Sequence, residues 1–163
     1  MRDFDFRQRF DRILLPYSGF YCLLNRRDAL RCLKSVASDL APKGQFIFDV
    51  WSADEFQREA ASSAYRDEPG PILSFGHRGQ TWDVFEKSRL RTRLQRLDVA
   101  YTYVSRESGT RVTVPIAHRY APRQELYGLL EAAGLRVLAS YGDFEGHRFG
   151  RRSELLVVKS ALA

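Results

Sequence analysis

Residues 10–24 read FDRILLPYSGFYCLL and residues 45–51 read QFIFDVW, and the fold turns on how these two runs are joined. Phe10 to Tyr17 is a short apolar run stopped by Pro16, the pattern of a strand buried on both faces. A helix follows. Asn25 suits its cap, and Asp28, three residues on, is placed to reach back to free amides. Leu30, Leu33, Val36, Ala37 and Leu40 repeat at helical spacing, giving a stripe that covers one face of a sheet. Pro42-Lys43-Gly44 ends the helix, and Gln45 to Trp51 is the second buried strand. Strand, helix and strand in that compass form a right-handed crossover, so Ile13–Leu15 is expected to lie parallel to Phe46–Phe48.

Beyond Trp51 the pattern changes. A helix-like stretch covers Ala53 to Ala64, and residues 72 to 120 then alternate, rich in β-branched and aromatic types. Thr81–Phe85, Leu94–Val104 and Arg111–Tyr120 read as antiparallel strands, with Ser108-Gly109 at the turn between the last two. Pro122 suits the first turn of another helix, whose buried stripe is Leu126, Leu129, Leu130 and Ala133 and whose end is Gly134. Arg136–Tyr141 and Leu155–Lys159 are the final strands.

The chain has 163 residues, enough for one domain with a core. No apolar stretch approaches the roughly 18 residues of a membrane span, and the charged start MRDFDFRQRFDR is no secretory signal. Cys22 and Cys32 form a lone pair matching no zinc spacing, and His77, His118 and His147 are scattered, so no metal site is expected. Reduced cysteines point to the cytoplasm. The net charge is +6. Its densest run, Lys87, Arg89, Arg91, Arg93 and Arg96 with Leu90 and Leu94 between, suits a strand with one wet face. No recognition helix, zinc finger or RNA-binding signature accompanies it, so nucleic acid is not the expected partner.

FDRILLPYSGFYCLL, DLAPKGQFIFDVW (39–51), APRQELYGLLEAAGLRVLASYGDFEG (121–146) and SELLVVKS (153–160) together resemble class I S-adenosylmethionine-dependent methyltransferases. The likeness is greatest to small-molecule enzymes of the glycine and sugar-amine N-methyltransferase type. It runs over nearly the whole chain and implies an α/β, Rossmann-like sheet, with 72–120 as the antiparallel lid over the substrate. That family orders its strands 3-2-1-4-5-7-6, the last antiparallel, and this chain resembles strands four to seven. The first strands, the glycine-rich loop and the acidic residue that holds the ribose have no counterpart here. Gly44, Gly70, Gly76, Gly79 and Gly109 fall in turns, and none makes the strand–glycines–helix arrangement that brings backbone against a cofactor.

The expectation is therefore the carboxyl-terminal half of a small-molecule methyltransferase, binding S-adenosylmethionine only in a completed assembly. An inactive dimerisation or regulatory module is the alternative. The strand containing Ile13–Leu15 should have one unpaired edge, open to a cofactor-half polypeptide or to a second copy. The charged first dozen residues could instead fold over that edge. An upstream start of the coding sequence would also account for the missing half.

Ligands sit beyond the carboxyl ends of parallel strands, which singles out Pro16, Tyr17 and Ser18; the resemblance places them beside the methyl donor. Tyr17 could orient a substrate amine or hydroxyl, or simply pack at a strand end. Phe20 and Tyr21 could wall a pocket or belong to the core. Asp49 and Trp51 end the second strand on the same side, and the resemblance gives them the substrate entrance; Asp49 could also cap local amides or act as a general base. It also gives Arg119 a contact to substrate or to a pocket carboxylate, and places Tyr141 and Asp143 on the substrate side. His118, with an ordinary pKa near 6.5, could accept a proton from an ammonium substrate.

Overall fold

The computed structural model describes residues 1–54, 65–67 and 69–163. They fall into two compact units, one built from 1–59 with 119–163 and the other from 60–118. Ala53 and Asp54 are helical, and the rest of the helix expected over 53–64 lies outside the described residues.

The first unit is a four-stranded sheet in the order β1 (Phe10–Leu15), β2 (Leu40–Trp51), β9 (Leu155–Leu162), β8 (Leu135–Tyr141). β1 and β2 are parallel, with Ile13 opposite Phe46, Leu14 opposite Ile47 and Leu15 opposite Phe48. β9 is antiparallel to both its neighbours, so β8 runs in the direction of β1 and β2. Order and direction are those implied for the sequence 4-5-7-6. The crossover helix α1 (Arg26–Asp39) is capped by Asn25, whose side chain accepts from the Asp28 amide at 2.8 Å. Asp28 uses its carboxylate on the Asn25 side-chain amide and on Arg2. α2 (Arg123–Ala132) buries Leu126, Leu129 and Leu130, and Gly134 takes the left-handed position after it at φ 80°.

Three expectations change. α1 stops at Asp39, and β2 pairs from Leu40; residues 41–44 form an irregularity in the strand, where a Cβ on Gly44 would lie 2.7 Å from the Phe10 carbonyl oxygen. The buried face of α1 is Ala29, Cys32, Leu33, Val36 and Asp39: Leu33, Val36 and Leu40 of the expected stripe are buried, and Leu30 and Ala37 are half-buried. Asp39 is buried because it accepts the Phe6 amide at 3.1 Å. Phe4 donates its amide to Ser35 and Arg31 pairs with Asp3, so the first residues run along α1 instead of folding over β1. Finally, β1 is not buried on both faces. Among the described residues it pairs only with β2, and Leu14 is 65% exposed.

The core of this unit is Phe46, Phe48 and Val50 of β2, Leu156 and Val158 of β9, and the inner faces of both helices. Phe20, in a short 3-10 turn (Gly19–Cys22), packs its ring 5.5 Å from that of Phe48. Cys22 and Cys32 are free thiols. Among the described residues no helix is long and apolar enough to cross a membrane.

The second unit is an antiparallel sheet. β5 (Gln80–Arg91) pairs along its length with β6 (Arg96–Ser105), and β7 (Arg111–Arg119) follows β6. β3 (Tyr65–Asp67) and β4 (Leu73–His77) both pair with β5, opposite different parts of it. The β6–β7 turn has Gly109 at φ 67°. Lys87 to Arg96, expected as one strand, bends at a 3-10 turn (Thr92–Leu94), which leaves Leu94 60% exposed. Arg91 and Arg96 instead converge on Asp98, each at 3.0 Å.

Candidate functional site

The carboxyl end of β1 carries a strained turn. Tyr17 and Ser18 are non-glycine residues in the left-handed region, at φ 59° and 53°. Such a conformation costs of order 1 kcal/mol each and persists only where neighbours impose it. Here the neighbour is Asp49, 7% exposed on β2. Its Oδ1 accepts the Tyr17 amide at 3.0 Å and its Oδ2 the Ser18 amide at 3.2 Å. The Ser18 hydroxyl in return accepts the Trp51 amide at 3.0 Å. The turn is thereby tied twice to β2, and the Tyr17 side chain projects 95% exposed from the strand's end.

This geometry sorts the residues expected from the sequence. Pro16, Tyr17, Ser18, Asp49 and Trp51 are brought together at one edge of the sheet. Both Asp49 oxygens accept backbone amides, so its carboxylate holds the turn. Phe20 and Tyr21 lie in the core, 3% and 1% exposed. The Tyr21 hydroxyl lies 3.1 Å from the carbonyl oxygens of both Trp51 and Ala121. Burial pushes its pKa far up, so it remains protonated as a brace between β2 and the segment before α2. The Trp51 ring stands edge-on to Tyr21 at 4.9 Å and packs on Tyr120 at 5.5 Å. Arg119 meets a carboxylate, that of Glu125 in the first turn of α2, at 2.6 Å.

Asp143 and Tyr141 lie elsewhere. Tyr141 pairs with Val157 of β9 on one side and bridges to Arg148 on the other. The loop 142–147 therefore turns to the outer side of β8, three strand spacings, or about 14 Å, from β1. Asp143 accepts the amides of Glu145 and His147 at 2.9 and 3.0 Å, and the His147 Nδ1–H donates to it at 2.7 Å. Desolvation opposes its charge, but these donors outweigh it and hold the carboxyl below its ordinary range.

His118 belongs to the antiparallel unit. Burial lowers its pKa, outweighing a hydrogen bond with the Leu97 backbone and the nearby Asp98. Nδ1 is buried and has no hydrogen-bond partner among the described residues. The ring stays neutral over a wider range of pH, the state in which an imidazole can accept a proton.

One feature of the edge was not anticipated from the sequence. Ser52, Asp54, Arg123, Phe149, Gly150 and Arg151 line a cleft of about 380 Å³ beside the end of β2. The Arg123 amide donates to Asp54 at 2.8 Å, and its guanidinium lies 5.1 Å from the Phe149 ring centre. Asp54 and Arg123 are 69 residues apart, so no local pattern announces the pair. Among the described residues no cluster of three or more His, Cys, Asp or Glu side chains is arranged to hold a metal ion.

No family model matches the sequence, and no curated protein matches it. Solved structures do match. The CcbJ methyltransferase from Streptomyces caelestis is 23% identical with a TM-score of 0.80, over 99% of this chain and 61% of that one. An S-adenosylmethionine-dependent methyltransferase from Clostridium acetobutylicum is 15% identical with a TM-score of 0.75, over 99% and 62%. DesVI from Streptomyces venezuelae is 20% identical with a TM-score of 0.68, over 99% and 62%. The chain thus has a methyltransferase fold, and it spans about three-fifths of the length of these structures.

Proposed function

We propose that these residues form the acceptor side of an S-adenosylmethionine-dependent methyltransferase for a small molecule, active only when a glycine-rich cofactor half is supplied along β1. The observation that carries this reading is the turn at the end of β1: two left-handed residues, a buried carboxylate that fixes them, and an exposed phenol at the edge where open α/β sheets bind ligands. The fold shared with the three methyltransferases above supports it.

The residues present fit only part of a cofactor site. Asp49 already holds the Tyr17 and Ser18 amides. The glycines with positive φ, at 79, 109, 134 and 146, sit in turns and at a helix end, away from the strand–helix junction a cofactor requires. Pro16, Tyr17 and Ser18 would make one wall of the site. When bound, the cofactor supplies a methyl group on a positively charged sulfur. The tasks of this chain are to hold the acceptor in line, through Tyr17 and the residues at the end of β2, and to exclude water. In this proposal the antiparallel unit is the substrate lid and the neutral His118 accepts a proton from the acceptor.

The unpaired edge of β1 supports the assembly part of the reading. Phe4, Phe6, Phe10, Arg12 and Ile13 line a mainly apolar groove beside it, with Phe6 61% and Leu14 65% exposed. A polypeptide bringing a parallel strand and a covering helix would satisfy both. A second copy pairing through Ile13–Leu15 is the other reading the edge supports, and it leads to a dimerisation or regulatory module without chemistry.

Calorimetric titration of the chain with S-adenosylhomocysteine, before and after addition of a glycine-rich α/β half, tests the proposal. Binding and methyl transfer to small amines are expected only in the mixture. Micromolar binding by the chain alone, at one site per chain, would overturn the division of labour. Light scattering distinguishes a self-paired dimer from a chain that awaits a different partner.

A further inference from the structure

The geometry points to the cleft at the end of β2 as a site for an anionic group, a carboxylate or a phosphate, carried by the methyl acceptor. This rests on the acceptor-side reading above and names the chemistry of what binds there. The cleft borders the end of β2, the strand that neighbours β1 and its Tyr17 turn. The volume, about 380 Å³, is in the range of small-molecule sites.

The lining carries two guanidiniums and one carboxylate. Asp54 turns one oxygen to the Arg123 amide at 2.8 Å, and its other oxygen is 3.8 Å from Arg123 Nε. The Phe149 ring supports the guanidinium from the side. Arg123 is therefore held in place and its charge balanced. Arg151 is not balanced: it is exposed, and among the described residues it makes no ion pair. It is displayed from a closed turn, in which the Ser153 amide donates to the Gly150 carbonyl at 3.1 Å and the Gly150 amide donates to Ser153 Oγ at 3.0 Å. The same serine packs against Gly142, where a Cβ would collide with it, so the turn is wedged against the start of the loop. A net positive cleft with planar, partly ordered donors selects carboxylate or phosphate over a neutral hydroxyl.

The test is a side-chain ¹H–¹⁵N titration of the full chain with inorganic phosphate and, separately, with acetate, against chloride at matched ionic strength. Saturable shifts of the Arg123 and Arg151 Nε–H signals are expected, and the stronger of the two anions identifies the group. Arg151→Gln should weaken that binding about tenfold with an unchanged melting curve, whereas Arg152→Gln should leave it intact. Linear shifts of equal size at Arg148, Arg151 and Arg152 would overturn the site. In the completed assembly, Arg151→Gln should raise KM for anionic acceptors and leave kcat alone; an unchanged KM would also overturn it. Saturable binding in an assembly that transfers no methyl group would uphold the anion site while removing the methyltransferase reading.

Discussion

The turns that follow β1 and β8 are each held by a carboxylate accepting two backbone amides, yet the two carboxylates act differently. Asp49 reaches across the sheet to amides 32 and 31 residues away, is nearly buried, and imposes left-handed backbone on Tyr17 and Ser18. Asp143 binds amides two and four residues ahead of it, in an exposed loop where Gly146 takes the positive φ at no steric cost. The first arrangement stores strain at a place set by tertiary structure. The second is a local turn that any short acidic segment could form. Strain held from a distance fixes the backbone at the end of β1; strain avoided locally lets a loop close.

Removing Asp49 should produce the largest effect. Asp49→Ala leaves two amides without an acceptor in a poorly hydrated place, and a loss of about 2–4 kcal/mol in urea denaturation is expected. Asp49→Asn keeps one acceptor oxygen and should lose less. An Ala variant as stable as the parent would show that the turn holds itself, and the contrast with Asp143 would vanish.

The same contrast explains what was legible in the sequence. Local signals read well: the Asn25 cap, the Leu126–Leu129–Leu130 stripe, Gly134 after α2 and Gly109 in the β6–β7 turn all lie where spacing put them. The parallel pairing of Ile13–Leu15 with Phe46–Phe48 followed because a strand–helix–strand crossover within one sheet brings its strands parallel. What failed depended on polar contacts that hydrophobic spacing does not record. Asp39 is buried, its carboxylate accepting the Phe6 amide, although it lies outside the hydrophobic stripe. The bend at Thr92–Leu94 broke a basic run that alternates well enough for one strand. At the end of β1, proximity to the strand ends put Tyr17, Ser18, Asp49 and Trp51 together, and hydrogen bonds join them. Asp49 was legible as a capper of backbone amides, but that those amides lie 32 and 31 residues away was not, and the Asp54–Arg123 pair stayed hidden, since both join segments far apart in the chain.

Tyr17→Gly sharpens the comparison from the other side. Glycine occupies φ 59° without a Cβ penalty, so the folded state should gain up to about 1 kcal/mol, less the entropy glycine adds to the unfolded chain. The phenol is 95% exposed, so little packing is lost. A more stable variant that no longer supports transfer or acceptor binding would show strain retained for function. A destabilised variant would mean that the tyrosine ring contributes to folding after all.

The smallest effect belongs to Asp143, and it is best read by pH. Its folded carboxyl sits below the ordinary range while the unfolded one titrates near 3.9. The folded state therefore binds fewer protons. The contribution is present in full above the unfolded value and is lost as pH falls through the folded one. Because the loop is exposed and self-contained, the midpoint of global unfolding should hardly respond to Asp143→Asn. The local signature is amide hydrogen exchange, corrected for its intrinsic pH dependence. Protection at Glu145 and His147 should fall on acidification in the parent and be independent of pH in the Asn variant, whose Oδ1 can still accept both amides, while Tyr17 and Ser18 keep theirs. If protection at Tyr17 fell together with that at Glu145, the two turns would be one cooperative element, and the distinction between a distant clamp and a local one would have no energetic content.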